Sequence, residues 1–587
     1  MFLPTTPSEI ASLGWDGVDF ILVTGDAYVD HPSFAAAVIS RVLESESFRV
    51  AVLPQPDYKN ADAFRSLGMP KLGFLVSAGN VDPMVAHYTS AKKPRKFDAY
   101  SPKGEFLRPD RATVVYCNRI REAFKSKNGD INGENKHIPI IIGSIEASLR
   151  RFAHFDYHSD TVRRSILIDS GADILVYGMG ERAIKEIAHR LKNGGDIKEI
   201  KDIRGTAYIA KSEDECVFDY VTSESYESIR KSDETSKLAY ARAFAVQYGE
   251  QDAVRGKAVI QRDSRRVLIQ NPPQLPLSTM EMDAVYGFNY MRKAHPMYDS
   301  DGGIAALEEV EFSIIHNRGC FGECNFCALT FHQGRMVSSR SEASIIREAE
   351  LISQSPGFKG YIHDVGGPTA NFRKNACSRQ SRFGACKDKR CLSPKPCKNL
   401  EVDHSEYLRI LTKLSEIKGV KKVFVRSGVR FDYIMLDKDD SFLSAMVKNH
   451  VSGQLKVAPE HICPNVLNQM GKPCHDVYQS FSDKFYRMSK KHGLKQYLVP
   501  YLMSSHPGST TKDALTLNRY LLENNLNPEQ VQDFYPTPGT VSTCMFFTGI
   551  NPITMQSVYV AKKSKEKALQ RALLQPNKRR SVDKRYK

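Results

Sequence analysis

The chain reads as an α/β protein of two consecutive parallel-sheet domains, a doubly wound N-terminal one and a complete or partial (β/α) barrel. Three observations predict this. Short apolar runs alternate with amphipathic stretches through the first two hundred residues, the alternation lapses between Ser223 and Asp301, and it resumes from Glu308 for about 240 residues. At 587 residues the chain exceeds one ordinary hydrophobic core.

N-terminal strands are expected at Phe20–Thr24, Arg49–Leu53, Leu72–Ser77, Ile138–Ile142 and Asp173–Tyr177. Several run into glycine or a turn residue, as in Val23-Thr24-Gly25-Asp26 and Ile142-Gly143-Ser144. Ligands of open α/β sheets gather at such carboxyl ends, although the same glycines also serve simply to turn the chain. Residues 1–222 are assigned to this domain. A helix over Lys231–Tyr248 then leads to Asn271-Pro272-Pro273-Gln274-Leu275-Pro276, which can continue neither a helix nor a central strand. Residues 223–304 are therefore expected to connect the domains. Val310–Ile315, Gly360–Asp364, Lys422–Arg426, Gln454–Ala458 and Gln496–Met503 read as strands of a barrel over 305–545. Residues 546–587 form a C-terminal extension.

With 41% hydrophobic and 26% charged residues the composition is that of an ordinary soluble protein. No apolar run reaches the roughly 18 residues of a membrane span. Met1–Gly14 lacks the basic segment followed by an apolar one that marks a secretory signal. A cytoplasmic protein without a membrane partner is expected. Of the formal charge of +16, +9 lies in Ala561–Lys587, where eleven Lys or Arg face Glu566 and Asp583. Such a tail reads first as a solvated extension, and it keeps nucleic acid open as a partner.

Twelve cysteines in such a chain point to metal or catalysis rather than disulfides. Seven fall between Cys320 and Cys397, while Cys117, Cys216, Cys463, Cys474 and Cys544 are scattered and read as small core residues. Arg318-Gly319-Cys320-Phe321-Gly322-Glu323-Cys324-Asn325-Phe326-Cys327 places three thiols just after the first barrel strand. A cubane has four irons, so three thiolates leave one iron free to chelate a cofactor. The competing reading is a structural zinc site, which needs a fourth ligand such as His316 or His332.

That spacing, with an aromatic residue before the last cysteine, resembles the signature of the radical S-adenosylmethionine (radical SAM) superfamily. Tyr361-Ile362-His363-Asp364-Val365-Gly366-Gly367-Pro368-Thr369 resembles the superfamily's Gly-Gly-Glu motif, with Pro368 in place of the acid. Phe424-Val425-Arg426-Ser427-Gly428-Val429-Arg430 offers donors for a carboxylate and ribose. Lys456-Val457-Ala458-Pro459-Glu460-His461 and Asp533–Thr540 look like later barrel segments of the branch that includes methylthiotransferases.

End to end, the chain is similar to the YgiQ-type radical SAM proteins. The likeness rests on Gly25–Phe34, Gly143–Arg151, Tyr177–Ala183, the cysteine triad and Phe547–Pro552. It implies a Rossmann-like, cobalamin-binding-like N-terminal domain in which tightly bound cobalamin is not expected, because the Asp-x-His-x-x-Gly signature that gives cobalt a histidine is missing and His31 sits in the wrong frame. It implies a radical SAM partial barrel in which Cys320, Cys324 and Cys327 hold a 4Fe–4S cluster. Gly366, Gly367, Arg426, Ser427 and Glu460 are then the candidate S-adenosylmethionine contacts. The implied reaction is reductive cleavage of S-adenosylmethionine to a 5'-deoxyadenosyl radical, fed by an electron donor such as flavodoxin or ferredoxin. No side chain is assigned as catalytic, because the abstracting group is the cofactor's own carbon. The alternative is an iron–sulfur electron-transfer or methylthiotransferase-like RNA-binding protein. Cys377, Cys386, Cys391 and Cys397, in a basic insertion over 371–398, are candidate ligands of an auxiliary metal or cluster.

Overall fold

The computed structural model describes residues 1–125, 137–528 and 531–575, so the end of the basic tail, 576–587, lies outside the described residues. The chain divides into two compact units, Met1–Pro276 with Ala284–Glu311, and Leu277–Asp283 with Phe312–Lys587. Among the described residues no helix is long and apolar enough to cross a membrane.

The first unit is built on nine strands: β1 (Phe20–Thr24), β2 (Val50–Pro54), β3 (Gly73–Ser77), β4 (Ile140–Gly143), β5 (Ile174–Val176), β6 (Thr206–Ala210), β7 (Tyr220–Thr222), β8 (Ala258–Asp263) and β9 (Arg266–Gln270). They form one sheet in the order β7-β8-β9-β6-β5-β4-β3-β1-β2. β2-β1-β3-β4-β5 are parallel. Phe-Ile-Leu-Val-Thr of β1 is buried at every position, as expected of a central strand covered on both faces. The order reverses between β1 and β3, where a doubly wound sheet opens its ligand crevice.

In this protein that crevice holds an ion network. Arg108, fully buried, reaches Asp26 at 2.8 Å and grips Asp98 through Nε and NH2 at 2.9 and 3.0 Å. Burial pushes the Asp26 carboxyl up to about 6 despite the guanidinium beside it. A methyl group on Gly79 would sit 2.1 Å from Asp26 Oδ1, and one on Gly25 2.3 Å from the carbonyl of Ala78. The glycines at these strand ends therefore answer first to close chain packing. His31 is also fully buried, with Nδ1 accepting from the Ser33 amide at 3.1 Å.

The 223–304 stretch, expected to connect two domains, is largely built into the first unit. β8 and β9 pair antiparallel, β9 adds antiparallel to β6, and β7 runs parallel to β8. The helix expected over Lys231–Tyr248 forms at Glu234–Gly249. The hairpin explains the difference: Ala258-Val259-Ile260-Gln261 and Val267-Leu268-Ile269-Gln270 bury continuous apolar runs that complete the sheet. The proline run does mark a boundary, because the first unit is interrupted after Pro276.

Among the described residues of the second unit, six barrel strands follow in chain order: β10 (Ser313–Ile315), the split strand β11 (Tyr361–Ile362 and Asp364–Gly366), β12 (Lys422–Val423), β13 (Gln454–Glu460), β14 (Tyr497–Ser504) and β15 (Val531–Asp533). β10 pairs parallel with β11, β11 with β12, β13 with β14, and β14 with β15. The Val425 amide donates to the His450 carbonyl at 3.0 Å, joining the end of β12 to the approach of β13. Helices Glu342–Ser353, Ser405–Glu416, His475–Lys491 and Thr511–Glu523 fall between successive strands. This is the partial barrel expected, and its carboxyl ends gather His316, Gly366, Ser427, Glu460, Ser505 and Asp533. Its core joins Ile314, Val365, Val423, Val425, Leu455 and Val457 to the inner faces of the helices.

Candidate metal centre

The three cysteines lie on a loop tied at its base. Asn317 pairs with Ser339 and Arg318 with Ser338 in an antiparallel clip just past β10. Gly319 turns the chain at φ +81°, and a methyl group there would fall 1.9 Å from the Met336 carbonyl, so only glycine fits. The Cys320 amide donates to the Gly334 carbonyl at 3.1 Å and the Cys327 amide to the Cys324 carbonyl at 3.0 Å. Asn325 fastens the far side, donating to the Met470 carbonyl at 2.8 Å and accepting from the Ser542 amide at 2.9 Å. The loop is thus fixed to segments that follow β13 and β15.

Around the thiols, Thr369 Oγ1 lies 3.3 Å from Cys320 Sγ, and Arg430 NH1 donates to Cys324 Sγ at 3.3 Å. Arg430 is buried and paired with Asp432 through Nε at 2.8 Å. Burial alone would lower the Arg430 guanidinium, but Asp432 and the cysteines outweigh it and hold it charged. Burial pushes the Cys320 thiol up and the Cys327 thiol up to about 12, with the neighbouring cysteines adding to both. Three thiolates crowded here therefore need positive charge among them, which the irons of a cluster bring when bound. Asn317 adds a second sign: it is fully buried, its amide donates to the carbonyls of Thr369 and Phe372 at 3.2 and 2.7 Å, and its Oδ1 has no hydrogen-bond partner.

The candidate cofactor contacts fall into three kinds. Gly366 and Gly367 close β11 so tightly that a methyl group would lie 2.1 Å from Ser427 Oγ at the first and 1.7 Å from Asn317 Oδ1 at the second. Asp364 accepts from the amides of Arg426 and Ser427 at 2.7 and 3.0 Å and also from the Ser427 hydroxyl. Ser427 is therefore already engaged and the Arg426 side chain is exposed; Arg430, four residues on, faces the thiols instead. Glu460 ends β13 buried and in the left-handed region at φ +68°, 3.8 Å from the buried ammonium of Lys472. Burial pushes the Glu460 carboxyl up, against the pull of Lys472 and Arg430. A non-glycine residue held at such a backbone angle costs about 1–3 kcal/mol and marks an over-determined position.

Among the described residues no three His, Cys, Asp or Glu side chains converge as they would on one metal ion. A cubane does not require such convergence, because each thiolate binds a different iron. His316, offered as a fourth zinc ligand, is fully buried and spends Nε2 on the Ala370 carbonyl at 2.8 Å. Of the scattered cysteines, Cys117, Cys463 and Cys544 are buried as expected, whereas Cys474 is exposed and Cys216 half-buried. Asn317, Asp432 and Lys472 were not legible as site residues; an Arg-x-Asp pair just past a barrel strand is the only local signal of the set.

Residues 2–313 match the radical SAM N-terminal family, and residues 529–580 match a domain of unknown function, DUF3362. The fold and this match define a radical SAM enzyme. A UPF0313 protein of Clostridium perfringens is 56% identical over 575 residues, 98% of this chain and 85% of the relative. One of Clostridium botulinum is 55% identical over 98% of this chain and 87% of the relative. The chain belongs to the UPF0313 family. Among solved structures, the radical SAM methyltransferase TsrM from Kitasatospora setae, with cobalamin and a [4Fe–4S] cluster bound, aligns at a TM-score of 0.47 and 14% identity, over 89% of this chain and 77% of that one.

Proposed function

We propose that Cys320, Cys324 and Cys327 ligate three irons of a 4Fe–4S cluster and leave the fourth to S-adenosylmethionine. The observation that carries this reading is the clipped loop, which holds three half-buried thiols just past the carboxyl end of β10 with Arg430 on one of them. The cluster, when bound, supplies the electron that cleaves the cofactor's sulfonium bond and leaves a 5'-deoxyadenosyl radical. The chain's part is to bind, orient and exclude water. Arg430 offsets thiolate charge at Cys324, and the Arg430–Asp432 pair fixes it there. The Gly366–Thr369 backbone, held by Asn317, presents main-chain groups to the cofactor's amino group where Pro368 supplies no acid. Glu460 and Lys472 place a charged pair at the end of β13 for the cofactor's polar groups.

Anaerobic reconstitution of the full chain with iron and sulfide, followed by dithionite and S-adenosylmethionine, tests the reading. Release of 5'-deoxyadenosine that disappears in the Cys320→Ala/Cys324→Ala/Cys327→Ala variant supports it. Undiminished cluster absorbance and cleavage in that variant would overturn it.

A further inference from the structure

A second group of thiols lies in the same unit. Cys377, Cys386, Cys391 and Cys397 occupy the insertion between β11 and helix Ser405–Glu416, and none forms a disulfide. Within the insertion, hydrogen bonds draw three of the four together: the Gln380 amide donates to the Cys377 carbonyl at 3.1 Å, and Gln380 also reaches the Cys391 sulfur, beside which Cys397 is tied. Its base is closed by the Glu401 amide donating to the Ala376 carbonyl at 2.9 Å, and its tip by the Cys397 amide donating to the Cys391 carbonyl at 2.9 Å. The Gln380 side chain spans the two arms, accepting from the Ala376 amide at 2.9 Å and reaching Cys391 Sγ at 3.7 Å.

Apolar packing contributes little to this fold. Residues 371–398 contain nine Lys or Arg against one acid, Asp388, and their buried apolar side chains are few. Ala376 and Leu392 join Phe321, Phe372 and Tyr433 in a small cluster that Cys320 and Cys391 both border. An anionic metal centre at its middle would offset the charge of a loop so basic and so poor in apolar material. Four thiolates on a cubane in its oxidised state leave a net charge of about −2, the opposite sign to the loop. A single zinc ion fits less well. Its thiolates would have to converge on one point, and no three of these side chains do. The gaps of eight, four and five residues also lack the paired short spacings of zinc ribbons.

We infer that Cys377, Cys386, Cys391 and Cys397 hold a second 4Fe–4S cluster with every iron ligated by protein. With no open iron, such a centre does not bind S-adenosylmethionine; its chemistry is one-electron transfer. The insertion is anchored to the triad loop, since the Arg390 guanidinium donates to Asn325 Oδ1 and Cys391 packs against the same apolar cluster as Cys320. The role that follows is a relay: a one-electron protein donor is oxidised, the second cluster is reduced, and the same electron passes on to the triad site.

The test is metal content and spectroscopy of the full chain, reconstituted anaerobically as wild type, as the triad triple-alanine variant and as Cys377→Ser/Cys386→Ser/Cys391→Ser/Cys397→Ser. Wild type is expected to hold about eight irons per chain and each variant about four. The triple-alanine variant should still give a low-spin EPR signal on reduction that S-adenosylmethionine does not alter. Four irons in wild type and none in the triple variant would overturn this inference and leave the triad reading intact. Four irons that survive the triple variant but not the quadruple one would do the reverse. Zinc in place of iron at the quartet would also overturn it. Should the quadruple variant fail to fold, Cys386→Ser alters one exposed ligand; it is expected to shift or abolish the second EPR signal, and an unchanged signal with eight irons counts against the assignment.

Discussion

Arg430 donates to the sulfur of Cys324 at 3.3 Å while its Nε and NH2 grip the carboxylate of Asp432. Both charged residues are buried, at 7% and 5% exposure, so neither can borrow solvation from bulk water when the other is removed. The pair makes Arg430 a rigid positive group beside a thiolate, which a solvated lysine at the surface would not be.

Arg430→Met should therefore cost more than a contact. It strands Asp432 without its partner and removes the counter-charge from Cys324, a loss of about 3–5 kcal/mol for breaking a buried pair. Hydrogen exchange over Phe431–His450 is expected to speed up, and reconstituted iron to fall. The sole tryptophan, Trp15, lies in the first unit, so its fluorescence should report unfolding there at an unchanged denaturant midpoint. A shifted midpoint with unchanged exchange near Arg430 would contradict this account.

Two glycines one strand apart should respond in opposite ways. Gly367→Ala puts a methyl group 1.7 Å from Asn317 Oδ1, and Asn317 cannot retreat without giving up its bonds to Thr369 and Phe372. At Gly428 nothing lies within 4 Å of the same methyl group. Gly367→Ala is expected to lower cluster loading at least severalfold, whereas Gly428→Ala should load as wild type does. Equal loading in both variants would mean that the tight packing under the triad loop does not govern the site.

His506 gives the second unit an acid sensitivity. It is fully buried, its Nδ1 is 2.7 Å from the Pro507 carbonyl and its Nε2 is 2.6 Å from Ser542 Oγ. Burial depresses it to about 3. The unfolded chain, with an ordinary histidine near 6.5, therefore binds the proton more readily, so stability is full above about 6.5 and is lost as pH falls toward 3. Between pH 6.5 and 5 the loss from this one group amounts to about 2 kcal/mol. The protection of amides in Val541–Thr548, taken relative to their intrinsic exchange rates at each pH, should fall over that interval in wild type and respond less steeply in His506→Gln. A slope unchanged by the substitution would assign the acid response to other groups.

The sequence made the strands legible where apolar residues run together. Phe20–Thr24 forms as expected, and the strand expected at Ile138 starts at Ile140 instead, after Pro139, which has no amide hydrogen to give the ladder. The hairpin at Ala258–Gln270 was obscured by the charged turn Arg262-Asp263-Ser264-Arg265-Arg266 between its apolar arms, and so the stretch read as a connection. β15 is only three residues long, Val-Gln-Asp, and carries no periodicity to detect. At the site, the cysteines announce themselves by spacing. Asn317, Asp432 and Lys472 do not, because each acts through a fold that brings distant strand ends together.

Glu460 offers the sharpest division between structure and recognition. Its backbone at φ +68° would relax in Glu460→Gly, recovering about 1 kcal/mol, while the same change leaves Lys472 buried without its nearest carboxylate. Glu460→Gln keeps the backbone strain and the shape but deletes the charge. If Glu460 and Lys472 hold the cofactor's polar groups, both variants should load the cluster normally yet bind S-adenosylmethionine at least tenfold more weakly, a loss of about 1.4 kcal/mol or more. Calorimetric titration of the reconstituted protein measures this directly. Should Glu460→Gln bind as tightly as wild type while Glu460→Gly melts at a lower temperature, the strained carboxylate serves to neutralise Lys472 and the cofactor is held by the Gly366–Thr369 backbone alone.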